Sequence, residues 1–224
     1  MEAWDRLESG VERVREIARP LELPEITWIP VDLTINQVHQ EHRTPIQRQS
    51  YAFAWLLVNF GTGRSIPSYD AQKYSYFLQR TGIADLEISY KEFARGPYSP
   101  DLTYKAGTHA KKQRFWEVLG KNIARRPNIG KAVNAAEEIF TNVQQARRLV
   151  EQLEKMAKDD LGGLATVDFA ARKIFEKNQT ITPENIRAYF LSDWAEKVND
   201  PWYTDENINR AIELLGELGL MKRQ

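Results

Sequence analysis

The chain has 224 residues, 31 basic and 31 acidic side chains and 42% hydrophobic content; the zero net charge excludes a global electrostatic pull toward nucleic acid. It has no cysteine, which excludes disulfides and thiolate metal sites and suits a reducing cytoplasm. The N-terminus lacks the basic and apolar regions of a signal peptide, and the apolar run 51–58 is too short to cross a bilayer, so a soluble cytoplasmic protein without membrane contact is expected.

Trp4, Leu7, Val11, Val14 and Ala18 follow a 3-4-3-4 spacing that predicts one apolar stripe on an N-terminal helix, ended by Pro20. Residues 21–35, with Pro24 and Pro30, read as an extended connector, so 1–44 forms an N-terminal helix plus linker ahead of a domain over 45–224. Thr44 and Pro45 read as N-cap and N1 of a helix that is apolar nearly all round after Tyr51, which places it at the centre of the core. A further helix is expected from about Ser68 to Arg80, stopped by Gly82.

Leu86, Ile88 and Tyr90 alternate as a half-buried strand does, and Phe93 resumes the pattern, which predicts a small β element over 86–93. Gly96-Pro97 ends it, and Ser99-Pro100-Asp101 reads as N-cap, N1 and N2 of the next helix. The pattern from about residue 129 is helical. Residues 130–158 form one helix bent near Thr141, Gly162-Gly163 a hinge-like break, and 160–224 a C-terminal helical subdomain whose last two helices start at Thr182-Pro183 and Thr204. The predicted class is mainly α: a compact multi-helix domain with a small β element.

Residues that could carry chemistry are sparse. His39 and His42 are three apart, not the four of a zincin helix, and no third ligand accompanies them, so they read as polar loop residues. There is no Gly-x-Ser-x-Gly elbow and no phosphate-binding Gly-Lys-Ser/Thr loop. Ser99 is explained as a helix cap. No catalytic residue, metal or cofactor is therefore expected. Charge is unevenly spread: residues 105–131 hold eight basic residues against Glu117, and 184–217 hold eight acids against Arg187, Lys197 and Arg210. Lys111, Lys112, Arg114, Arg125 and Arg126 are thus candidates for nucleic-acid contact. The two last helices, joined around 199–203, offer a weaker helix-turn-helix alternative, because acids crowd the last one.

Lys73-Tyr74-Ser75-Tyr76-Phe77-Leu78, followed by Phe93-Ala94-Arg95-Gly96-Pro97-Tyr98-Ser99-Pro100-Asp101-Leu102, resembles the Panacea-type antitoxin domain. Ile208 to Leu220 is similar to the closing helix of some relatives. The resemblance implies a non-enzymatic helical module. Such a module neutralises a toxin by direct contact, acts as a proteolytic adaptor in SocA-like members, or accompanies restriction–modification components. Lys73, Tyr74, Phe77, Gly96, Pro97, Tyr98, Ser99 and Pro100 match its signature, and Arg95, Tyr98, Lys73 and Tyr74 are the residues it offers for contact with a partner protein. The arm 1–44 and the basic stretch after Leu102 depart from the pattern. The expected role is a protein-binding regulator, with nucleic-acid binding as the alternative.

Overall fold

A computed structural model describes residues 43–61, 65–157 and 160–221. The chain divides into two compact units, Met1–Gln37 and Val38–Gln224, and every described residue belongs to the second. The expected Trp4–Ala18 stripe, the connector 21–35 and the His39/His42 pair lie outside the described residues.

Helix α1 (Pro45–Asn59) starts as its sequence dictates: Thr44 Oγ1 accepts from the Gln47 amide at 3.3 Å, and Gln47 Oε1 accepts from the Thr44 amide at 2.9 Å. That reciprocal capping box satisfies two otherwise orphaned donors. The helix is buried from Ala52 through Leu57. Trp55 meets Phe140 edge-on at 4.8 Å, while the buried Trp116 donates its indole N–H to the Ser50 carbonyl at 2.8 Å.

Strands β1 (Ser65–Pro67), β2 (Trp116–Leu119) and β3 (Asn122–Arg125) form an antiparallel sheet in the order β1-β3-β2. Gly120 turns the β2–β3 hairpin at φ +61°, as the first loop position of a type II′ turn demands. Helix α2 (Ser68–Arg80) follows β1 directly, and Gly82 at φ +72° lies just beyond its end. A helix runs from Pro100, through a π-helical turn at Leu102–Ala106, into α3 (Gly107–Gln113).

Helices α4 (Ile129–Glu137) and α5 (Val143–Ala157) replace the single bent helix expected there; the break lies at 138–142, where Thr141 docks by its amide on the Ile83 carbonyl. Helix α6 (Leu161–Glu176) contains Gly162 and Gly163 rather than breaking at them. A Cβ at Gly162 would overlap the Tyr69 hydroxyl, and one at Gly163 the Trp202 ring, so both glycines admit close neighbours. Helices α7 (Pro183–Asp193) and α8 (Asp205–Glu217) begin on the expected Thr182 and Thr204 caps, each hydroxyl accepting a backbone N–H at 3.2 Å. One hydrophobic core extends from α1 to α8.

The class is mainly α with a small sheet, but the sheet is not at 86–93. Lys91 closes one isolated antiparallel bridge with Tyr98, and Leu86 and Ile88 pair with glutamine side chains instead. Gln79 donates to the Ile88 carbonyl at 2.9 Å and accepts the Ile88 amide at 2.6 Å, and Gln49 donates to the Leu86 carbonyl at 2.9 Å. A primary amide carries the donor and acceptor of a strand neighbour, so the alternation of Leu86 and Ile88 inward survives without a ladder. Glu87, at φ +48°, also departs from strand geometry.

Candidate functional site

The Gly96-Pro97 loop is held by its carbonyls. Trp194 Nε1 donates to the Phe93 oxygen at 3.1 Å and Lys197 Nζ to the Ala94 oxygen at 2.7 Å. The Tyr69 hydroxyl donates to the Arg95 oxygen, and Lys73 Nζ to the Pro97 oxygen. Two of these donors come from α2; the others are Trp194, just past α7, and Lys197 in the 3₁₀ turn Ala195–Lys197. Gln72 adds a bidentate grip on Ser99, Nε2 to its oxygen at 2.9 Å and Oε1 from its amide at 3.2 Å. Gly96 stands at φ +94°, against Thr166 and Lys73, where a side chain has no room.

Lys73 is fully buried and has no carboxylate within ion-pair distance among the described residues. Its Nζ lies 4.4 Å from the centre of the Tyr69 ring. Burial pushes its ammonium down to about 7, the nearby Lys197 charge adds to the effect, and Asp70 pulls the other way. Lys197 is also buried and also shifted down by desolvation, with Asp200 at 3.7 Å opposing. Burial raises the Tyr69 and Tyr203 hydroxyls, which keeps both neutral.

What this framework leaves at the surface is Phe93, 44% exposed, with Arg95 beside it and the half-buried Tyr98 ring 4.9 Å from the Phe93 ring. The Tyr98 hydroxyl donates to Thr103 Oγ1 at 2.7 Å. Lys73 and Tyr74, expected as contact residues, are placed differently: both are buried, and burial raises the Tyr74 hydroxyl. Lys73 supports the loop from beneath through the Pro97 oxygen, and Tyr74 is packed into the core. Phe93 was expected to continue an inward pattern; with no strand present it points out.

Compared with family models and with curated proteins, the chain matches none.

The basic stretch is also gathered in space. The Arg114 amide bonds the Lys111 oxygen, the Asn128 amide bonds the Arg114 oxygen, and the Lys131 amide bonds the Asn128 oxygen. Lys111, Lys112 and Arg114 are exposed. Arg125 turns inward, donating to the Leu57 and Val58 oxygens at 3.1 and 3.2 Å, where it caps the end of α1. Arg126 pairs with Glu117 at 3.3 Å. Arg125 and Arg126 are therefore occupied structurally, and Lys111, Lys112 and Arg114 form no ion pair among the described residues. On α8, Asn207 is engaged by the Trp202 carbonyl at 2.7 Å and Asp205 pairs with Arg187 at 2.7 Å. No cluster of three or more His, Asp or Glu suited to a metal occurs among the described residues. No helix is long and apolar enough to cross a membrane among them.

Proposed function

We propose that this protein is a binding regulator of antitoxin or restriction-accessory type, which acts by docking a partner protein on the Phe93–Arg95–Tyr98 surface. One observation carries the reading: an aromatic and an arginine stand exposed on a loop whose carbonyls are fixed by side chains from separate helices. Aromatic and arginine anchors dominate protein interfaces, and an already ordered loop loses little entropy on binding. The fitting partner offers an apolar recess to Phe93 and a carboxylate to Arg95, and a toxin or a restriction-system subunit is the class that the resemblance supplies.

The test is co-purification from the native host with wild-type protein and with Arg95→Ala/Tyr98→Ala. A stoichiometric protein is expected with the wild type and lost, by about tenfold or more, with the variant, at unchanged helical circular dichroism. Equal recovery with both proteins, or no partner with either, rules the reading out.

The gathering of Lys111, Lys112 and Arg114 favours a second reading, nucleic-acid binding. Gel retardation at low salt should then weaken steeply as salt rises and fall further in Lys111→Ala/Lys112→Ala/Arg114→Ala. Absence of any retention at low salt removes it.

A further inference from the structure

A cleft of about 300 Å³ opens between α2, α6 and the 86–93 segment. Arg80, Arg172 and Lys173 reach it, and Glu176 is the one carboxylate in its lining. Glu176 is engaged by Lys173 at 2.9 Å. Arg172 is exposed, lies against the Tyr76 hydroxyl, and has no ion pair among the described residues. Arg80 is held in place from behind: its Nε donates at 3.1 Å to Asp168 Oδ2, and its Nη2 donates at 3.2 Å to the Leu220 oxygen. Asp168 is itself fully buried and accepts the Tyr76 hydroxyl at 2.6 Å, so the floor beneath the guanidinium is rigid. The remaining lining is Tyr76, Gln79, Ile88, Tyr90 and Phe169, with Lys173 Nζ 5.9 Å from the centre of the Phe169 ring.

We propose that this cleft binds a nucleoside monophosphate, or the same group at the end of a strand: a planar ring that carries a phosphate. Arg80, Arg172 and Lys173 stand against two carboxylates, Asp168 behind Arg80 and Glu176 on Lys173, which leaves a net positive site for an anion, and the planar fork of Arg172 matches phosphate oxygens two at a time. Aromatic walls suit a base, which has a π face whatever its identity. The volume stands at the lower end of small-molecule sites, the right scale for one nucleotide. Arg80 is ordered before the ligand arrives, which lowers the entropic cost of binding. The cleft is separate from the Phe93–Tyr98 surface and does not depend on the role assigned to it.

Calorimetric titration of the full-length protein with AMP, GMP and UMP at low ionic strength tests the proposal. At least one should bind, and Arg172→Ala, an exposed position, should weaken it by about tenfold or more with the fold intact by circular dichroism. Ribose 5-phosphate and adenosine should each bind about tenfold more weakly than the best nucleotide, since each supplies half of the recognition. A trinucleotide with a 5′-phosphate separates the two sources: binding above the mononucleotide points to a strand end, binding below it to the free nucleotide, and both support the site. The proposal is overturned by no binding at millimolar nucleotide, by affinity unchanged in both Arg172→Ala and Lys173→Ala, or by ribose 5-phosphate binding as tightly as the nucleotide.

Discussion

Gly96→Ala is expected to lower the unfolding free energy by about 3 kcal/mol, from backbone strain and overpacking together. At φ +94° an L side chain is strained whatever space surrounds it. Space is also absent: a Cβ would stand 2.5 Å from Thr166 Oγ1, 3.2 Å from the Gly162 oxygen and 3.3 Å from Lys73 Nζ. Thr166 is buried and its hydroxyl already donates to the Gly162 oxygen at 2.7 Å, so it has nowhere to retreat. Gly82→Ala is the control, with φ +72° and no atom within 4 Å of the added carbon. It should cost about 1 kcal/mol, the backbone part alone. Urea denaturation of the two variants measures the difference. Equal losses would mean that the loop is not packed as tightly as its contacts require.

Stability should rise between pH 7 and pH 9.5 by about 3 kcal/mol, with Lys73 as the main cause. In the unfolded chain this lysine titrates near its ordinary 10.5; in the fold burial brings it down to about 7. Between those values the unfolded chain binds the extra proton, so raising the pH favours the folded state. Below pH 7 both states are protonated and the full cost of burying the charge is present. Lys197, shifted the same way, adds to the slope. The buried hydroxyls of Tyr69, Tyr74 and Tyr203 are raised, so above about pH 10 the unfolded chain loses protons first and stability falls again. The expected profile has its maximum near pH 9 to 10. Lys73→Met should flatten the rising limb, since methionine fills the space without a titratable group. Denaturation midpoints at pH 7, 8 and 9 decide this, and an unchanged slope in Lys73→Met would falsify the assignment.

Local signals carried much of the fold. Thr44, Thr182 and Thr204 each start a helix where their hydroxyls predict, because a cap is set by a residue and its third neighbour. The apolar encirclement of α1 identified the centre of the core. Failures came where a distant partner overrode the local pattern. Leu86 and Ile88 alternate like a strand, yet Gln49 and Gln79 take the place of neighbouring strands, and nothing near either glutamine announces it. Gly162 and Gly163 read as a hinge, while their small size serves Tyr69 and Trp202. The motif Gly96-Pro97-Tyr98-Ser99-Pro100 was visible as a shaped turn, but Lys73 and Lys197 could not be seen as its buried supports. A lysine reads as surface in any sequence, and its burial here is decided by carbonyls 24 and 103 residues away. The cleft with Arg80 and Arg172 was equally hidden, since its two groups of residues, 76–90 and 169–176, lie 79 or more positions apart along the chain.

The carbonyl contacts also set a schedule for the newborn chain. Tyr69 and Lys73 leave the ribosome before the loop does, so its Arg95 and Pro97 anchors are present at once. Trp194 and Lys197 follow 101 and 103 residues behind the oxygens they hold. At about 5–20 residues per second, that separation is roughly 5–20 s of synthesis. For that interval the loop lacks the two donors that hold its Phe93 and Ala94 oxygens, and its finished shape is conferred only once residues 194–197 have emerged.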